Sequence, residues 1–324
     1  MKSELLVILN KFKDKKILVI GDIMLDKYIW GDVTRISPEA PVQVVHVLKE
    51  TYSPGGASNV AVNISSLSGN SMIMGIVGDD DSKNVLIKEL KKMKVNTEGI
   101  FVDNDKPTTQ KIRIIGKSQQ LLRVDYESKE HAHKYIEKKL IDFLEKNVKN
   151  VEVVVISDYA KGVITPKIAE DIVKISKKYN KPIIVDPKPK HLGLYSNVTL
   201  ITPNNAEASE MAGMEDCNDE NVLKIGRKLM KQLDANVLIT RGDRGMSLFE
   251  KQEEDVHIPA KAKEVYSLIG AGDTVVATIA LALASGANLK EASFLANIAA
   301  GIKVGKIGTA SVTIDEIRAE IEKL

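Results

Sequence analysis

Gly270-Ala271-Gly272-Asp273-Thr274 puts two glycines and a carboxylate directly before Val275 to Ala284, a run almost entirely of Ala, Val, Ile and Leu. The run predicts a buried helix whose first free backbone amides face the Gly-Ala-Gly turn, and such a helix end attracts anions. Glycines there let the backbone approach a transferring phosphoryl group, while Asp273 sits close enough to take a proton from an attacking hydroxyl. The chemistry these residues suit is phosphoryl transfer to a small hydroxyl compound. An ordinary strand-to-helix turn with Asp as a cap would use the same residues.

Other constellations bear on that choice. Pro54-Gly55-Gly56-Ala57-Ser58-Asn59 precedes an apolar helical run; paired glycines would let a polyhydroxy ligand lie against the backbone, and Asn59 offers both donor and acceptor. Asp22 and Asp26 follow the first strand and could present two carboxylates to one pocket, or cap and face solvent. Asn204 and Glu207 fall one helical turn apart after a strand, where both could reach the water shell of Mg²⁺ or form a capping box. Thr240-Arg241-Gly242-Asp243-Arg244-Gly245 ends another strand with glycines that would admit a nucleotide or simply turn a hairpin. Neither GxxxxGK[ST] nor GxGxxG occurs, which argues against P-loop and dinucleotide sites. His131 and His133, in a charged helix start, read as a solvated pair.

The elements that must hold these residues follow from periodicity. Short β-branched runs at 17–20, 153–157, 183–186, 199–202 and 237–240 alternate with helical patterns near 166–180, 205–214 and 219–234, which predicts a mostly parallel sheet covered on both faces. Ligands of such sheets gather at the carboxyl ends of the strands, where this chain concentrates its polar motifs. Two segments break the alternation. Residues 28–48 are extended and punctuated by Pro38 and Pro41, and 108–125 read as a hairpin turning at Gly116-Lys117; together they would form a small β lid that closes over substrate or pairs with a second copy. No linker or repeat divides the 324 residues, so a single domain over 1–324 is expected.

Composition narrows the classes. Forty-six Lys and Arg against 44 Asp and Glu leave a net charge of +2, which gives no whole-chain case for nucleic acid or a membrane surface. One cysteine, Cys217, excludes an internal disulfide and reads as a spectator. The first residues suggest an amphipathic helix instead of a signal peptide, and a cytoplasmic location is expected.

The ordered set from Gly55-Gly56 through Asn204-Glu207 to Gly270-Ala271-Gly272-Asp273 resembles the ribokinase-like (PfkB) carbohydrate kinases over essentially the whole chain. Within that family the stretches GDIMLDKY, RISPEAPV, PGGASNVAVNI, QQLLRVD, SDYAKG, VDPK and TPNNAE are most similar to the kinases that make D-glycero-β-D-manno-heptose 1,7-bisphosphate. In some relatives this domain is fused to an adenylyltransferase; here the resemblance implies the kinase step. It further implies Asp273 as base for the anomeric hydroxyl and the amides of Gly270, Ala271 and Gly272 as the anion hole. Asp22, Asp26, Gly55, Gly56 and Asn59 would hold the sugar; Asn204 and Glu207 would organise Mg²⁺ through water; Thr240, Gly242, Gly245 and Asn297 would line the ATP pocket. The substrate's own phosphate needs a cationic anchor, for which Lys161 and Lys188 rank ahead of Arg35, Arg113 and Arg123, with Arg35 able to reach it from a partner's lid in a homodimer. Relatives carry an Asp three residues before the first glycine of the GAGD motif that helps hold K⁺, whereas this chain has Ser267, which argues against K⁺ activation.

Overall fold

The structure is a computed structural model that describes residues 2–117, 119–215, 219–260, 266–306 and 310–324; Cys217 lies outside them. In chain order the strands are β1 (Lys16–Gly21), β2 (Ile23–Ile36), β3 (Gln43–Gly56), β4 (Asn70–Val77), β5 (Asn96–Val102), β6 (Thr109–Gly116), β7 (Gln119–Tyr126), β8 (Val153–Ser157), β9 (Ile183–Asp186), β10 (Leu200–Ile201), β11 (Asn236–Thr240), β12 (Met246–Phe249) and β13 (Val256–Ile258). The helices are α1 (Lys2–Asn10), α2 (Ala57–Ser66), α3 (Asp81–Lys92), α4 (Lys134–Asn147), α5 (Pro166–Lys178), α6 (Asn205–Ala212), α7 (Asn221–Leu233), α8 (Ala271–Ala284), α9 (Leu289–Val304) and α10 (Ile314–Glu322).

The central sheet runs β13-β12-β11-β10-β9-β8-β1-β4-β5. Its strands from β5 to β11 pair in parallel, and β12 and β13 continue the β11 edge antiparallel. The β-branched runs are continuous because both faces are covered. Ile17 and Val19 enter one core layer with α2, α8 and α9, while Leu18 and Ile20 enter the other with α4, α5 and α7. α8 is apolar on all sides because it is packed on all sides, its residues from Asp273 to Ala282 being buried. This α/β architecture places the carboxyl ends of β1, β8, β9 and β11 along one rim, where Asp22, Asp158, Asp186 and Thr240 stand.

A second sheet, β3-β2-β6-β7, rises from that rim. Its long ladder starts lower than residues 28–48 suggest: Ile23 pairs with Gly56, and Ile23, Met24 and Leu25 are buried at its base. The apolar foot of the ladder belongs to the core, so the strands reach down to the site itself. Pro38 and Pro41 fall in the connection between β2 and β3, where no ladder amide is needed. Among the described residues no helix is long and apolar enough to cross a membrane.

Candidate active site

Gly270 precedes α8 with φ +76°, and a Cβ there would stand 2.8 Å from Asn59 Nδ2, so both backbone and space require glycine. The turn delivers Asp273, third residue of the helix, into a buried position. Its carboxylate accepts from Asn59 Nδ2 at 2.5 Å and from the Tyr159 hydroxyl at 3.0 Å. Burial pushes the Asp273 carboxyl above the usual range; the Asn59 and Tyr159 hydrogen bonds and the Lys303 charge oppose that, and Asp26 adds to it. A raised carboxyl pKa makes the ionised form a stronger proton acceptor, and the Asn59 and Tyr159 donors favour that form. Of the three amides expected at this helix mouth, that of Ala271 donates to the Leu268 carbonyl at 3.3 Å, and the first turn adds the amide of Asp273 as a further donor.

Tyr159 is placed by two buried acids. Asp22 accepts from the amides of Tyr159 at 2.8 Å, Lys161 at 3.1 Å and Val163 at 3.2 Å, and Asp158 accepts from Ala160 at 2.7 Å. Asp22 therefore clamps the loop after β8, and its carboxylate does not line the cavity beside Asp273. Sequence reasoning expects it on the sugar; here it lines the neighbouring pocket with Lys106 and Lys161.

The cavity beside Asp273 gathers Asp26, Gly55, Gly56, Asn59, Arg113 and Gly270, as expected, and adds Lys111, Tyr159 and Lys303. Arg113 pairs with Asp26 at 2.5 Å, and Lys111 stands over the Tyr159 ring at 5.6 Å. Lys111 and Arg113 alternate on β6 and so share one face of the strand, a period-two signal the sequence offered. Lys161 leaves this cavity: it pairs with Glu127 at 2.5 Å and lines a separate pocket with Lys106. Arg123 is taken by Asp125 on exposed β7, and Arg35 is exposed at the far end of β2.

A second cavity opens on the other side of the turn. Thr240, Gly242, Gly245 and Asn297 all line it, with Ala271 and Gly272, and Leu268, Val275 and Val304 give it apolar walls. The turn between β11 and β12 is thus both a hairpin connection and a cavity wall. One cavity holds the base, the other faces the glycine amides, and they meet at residues 270–273.

Asn204 and Glu207 form a capping box at α6, with mutual side chain to backbone bonds of 3.0 and 3.1 Å. Glu207 also accepts from Lys188, whose ammonium lies 5.4 Å from the centre of the Tyr159 ring. Asp186 is close by: burial, then Asp273, Glu207 and Asp158, push its carboxyl well up. Asp186 lies among acids here, so it joins Asn204 and Glu207 as a residue that could reach a divalent cation through its water shell, although the capping box and Lys188 already engage Asn204 and Glu207. The acidic cluster Asp103, Asp105 and His133 lies outside both cavities. Ser267 accepts from the Ile269 amide at 3.3 Å and brings no carboxylate to the turn.

A family model for "pfkB family carbohydrate kinase" matches residues 14–316. The chain is 42% identical to a protein named bifunctional protein HldE of Desulfatibacillum aliphaticivorans, over 96% of this chain and 64% of that protein. It is also 42% identical to the protein of the same name from Aliarcobacter butzleri, over 94% and 64%. The chain therefore spans a little under two thirds of these relatives. Its fold superposes on ribokinase of Arabidopsis thaliana, solved with ribose and ATP, with TM-score 0.73 at 21% identity over 96% and 98% of the chains. Escherichia coli phosphofructokinase-2, solved with potassium, gives 0.75 at 20% identity over 96% and 99%.

Proposed function

Because the chain belongs to the pfkB family of carbohydrate kinases and is a sugar kinase, we propose that it transfers the γ-phosphoryl group of ATP to the anomeric hydroxyl of D-glycero-β-D-manno-heptose 7-phosphate. One observation carries the proposal: the cavity with Asp273 and the cavity with the four nucleotide residues adjoin at a single helix mouth. Asp273 takes the hydroxyl proton, the new O–P bond forms as the bond to the ADP oxygen breaks, and the amides of Gly272 and Asp273 face the transferring group. Asn59 and Tyr159 hold the base in orientation.

Gly55, Gly56 and Asp26 would receive the sugar, and Lys111 with Arg113 would meet the phosphate at its far end, in preference to Lys161. A pair of cations on the strand face lining the cavity favours a sugar that already carries phosphate over a free one. Mg²⁺, when bound, neutralises charge on the ATP phosphates, and Asp186 and Glu207 would hold it through water.

We read the second sheet as a lid of one kinase domain and as the face on which a second copy pairs. It exposes Ile36 at 65%, Leu48 at 64% and Val42 at 57%, beside the open edge of β3. A dimer by light scattering that Leu48→Glu dissolves supports this; a monomeric parent defeats it. Use of ATP and a sugar phosphate fits a cytoplasmic location.

The deciding experiment is a ³¹P NMR product assay with ATP, Mg²⁺ and the heptose 7-phosphate, alongside fructose 6-phosphate, fructose 1-phosphate and ribose. A new anomeric phosphate from the heptose alone is expected. Turnover of another sugar in its place moves the chain elsewhere in its family.

A further inference from the structure

Lys303 lies near the end of α9, 2% exposed, in a helix whose other buried residues are mostly apolar. Its ammonium donates to the Ala310 carbonyl at 2.9 Å. Its Cε comes within 3.5 Å of the point where a side chain on Gly270 would begin, and Asp273 Oδ2 lies 3.8 Å from the same point. The approach to the turn is pinned to the same helix end, since the amides of Tyr266 and Ser267 donate to the Val304 carbonyl at 2.8 and 3.2 Å. A buried ammonium is costly and persists where nearby negative charge offsets it.

We propose that Lys303 is a built-in cation beside the Gly270–Asp273 turn, at the wall of the Asp273 cavity, doing there the electrostatic work of a bound monovalent cation, so that the reaction needs no K⁺. Among the described residues of this turn none besides Asp273 brings a carboxylate for such an ion: position 267 supplies a neutral hydroxyl, and a cation there would sit beside the Lys303 ammonium. As a positioning residue, Lys303 favours the ionised form of Asp273 and adds positive charge to the helix mouth that receives the phosphoryl group. The groups acting on Asp273 are Tyr159 after β8, Asp26 on β2, Asp186 at the end of β9, Asn59 on α2 and Lys303 on α9. Burial, and then Lys306, push the Lys303 ammonium below its usual range, and Asp273 opposes them.

The inference rests on Asp273 as the base, and its test includes a readout independent of the sugar. Parent, Lys303→Met and Lys303→Arg are compared for kcat, KM and pH profile in KCl and in tetramethylammonium chloride, using whichever sugar phosphate the parent turns over. The parent should be indifferent to K⁺. Lys303→Met should lose about tenfold or more in kcat, with sugar KM little changed and its acid limb moved up by about one pH unit. Lys303→Arg should stay near the parent. In ligand-free protein the ¹³C titration of the Asp273 carboxyl should move up in Lys303→Met alone, even if no tested sugar is a substrate. A parent that requires K⁺, or a Lys303→Met protein with lowered melting temperature but an unmoved Asp273 titration, overturns the inference.

Discussion

The hydroxyl of Tyr159 donates to Asp273 at 3.0 Å, and it does so from a loop whose amides are held by Asp22. The Asp273 carboxylate is thus oriented from the far side of the sheet rim, through a residue on a different strand end. Donation favours the ionised carboxylate, so its loss raises the Asp273 pKa further above the usual range. Tyr159→Phe should shift the acid limb of kcat/KM to higher pH and lower kcat, with ATP binding little changed. A pH profile superposable on the parent's would show that the hydroxyl does not act on the base.

Replacing the base itself should have a larger effect. Asp273→Asn keeps the size of the side chain but removes proton acceptance, and loss of a general base costs about 10²-fold or more in kcat. The neutral amide also removes a buried charge, so the variant should fold and bind ATP. Rapid-quench measurement of the chemical step checks this; transfer within a few fold of the parent would remove Asp273 from the mechanism.

Asp22 carries a stability prediction. Asp22→Ala leaves the amides of Tyr159, Lys161 and Val163 without their acceptor, at a cost on the order of 3 kcal/mol. Burial raises the folded pKa of Asp22, so the native state binds this proton more tightly than the unfolded chain. Its contribution to stability therefore declines as pH rises from about 4 and levels off once the folded carboxyl is ionised. Urea denaturation at several pH values should show both the loss and a flatter pH dependence in the variant.

The parallel sheet, the hairpin and the glycine turn were legible in the sequence because each rests on local pattern: β-branched runs, a period-two stretch and a helix start. That Thr240, Gly242, Gly245 and Asn297 share one cavity was legible for the same reason, since three of them sit at a strand end on the rim. The clamp that Asp22 makes was not legible, because a buried acid that holds backbone amides has the same local sequence as one that binds a ligand. Lys161 was favoured for following a strand end, but Glu127, 34 positions earlier, occupies it, and no local signal carries that pairing. Lys303 gave no signal, since one lysine late in an apolar helix reads as a surface residue until the turn beside it is known.

The two cation assignments separate on substitution. Lys111→Met should raise KM for the sugar phosphate about tenfold or more, since a charge-assisted bond is worth roughly 1.5–3 kcal/mol, while leaving KM for ATP alone. Lys161→Met, in the other pocket, loses only its pair with half-shielded Glu127 and should leave both within about twofold. The opposite ranking would return the phosphate to the pocket around Lys106.

Gly270→Ala tests the turn where the two cavities join. The left-handed φ of +76° costs an alanine about 1–2 kcal/mol, and its Cβ would press on Asn59 Nδ2, at 2.8 Å. Asn59 can yield only by loosening its own 2.5 Å bond to Asp273, so strain at the turn is passed to the base. The nucleotide residues lie on the other side of the turn and are not displaced. The variant should therefore lose modest stability and about tenfold or more in kcat, with nearly unchanged ATP affinity. A drop in ATP affinity matching the drop in kcat would mean that the turn shapes the nucleotide cavity more than it positions the base.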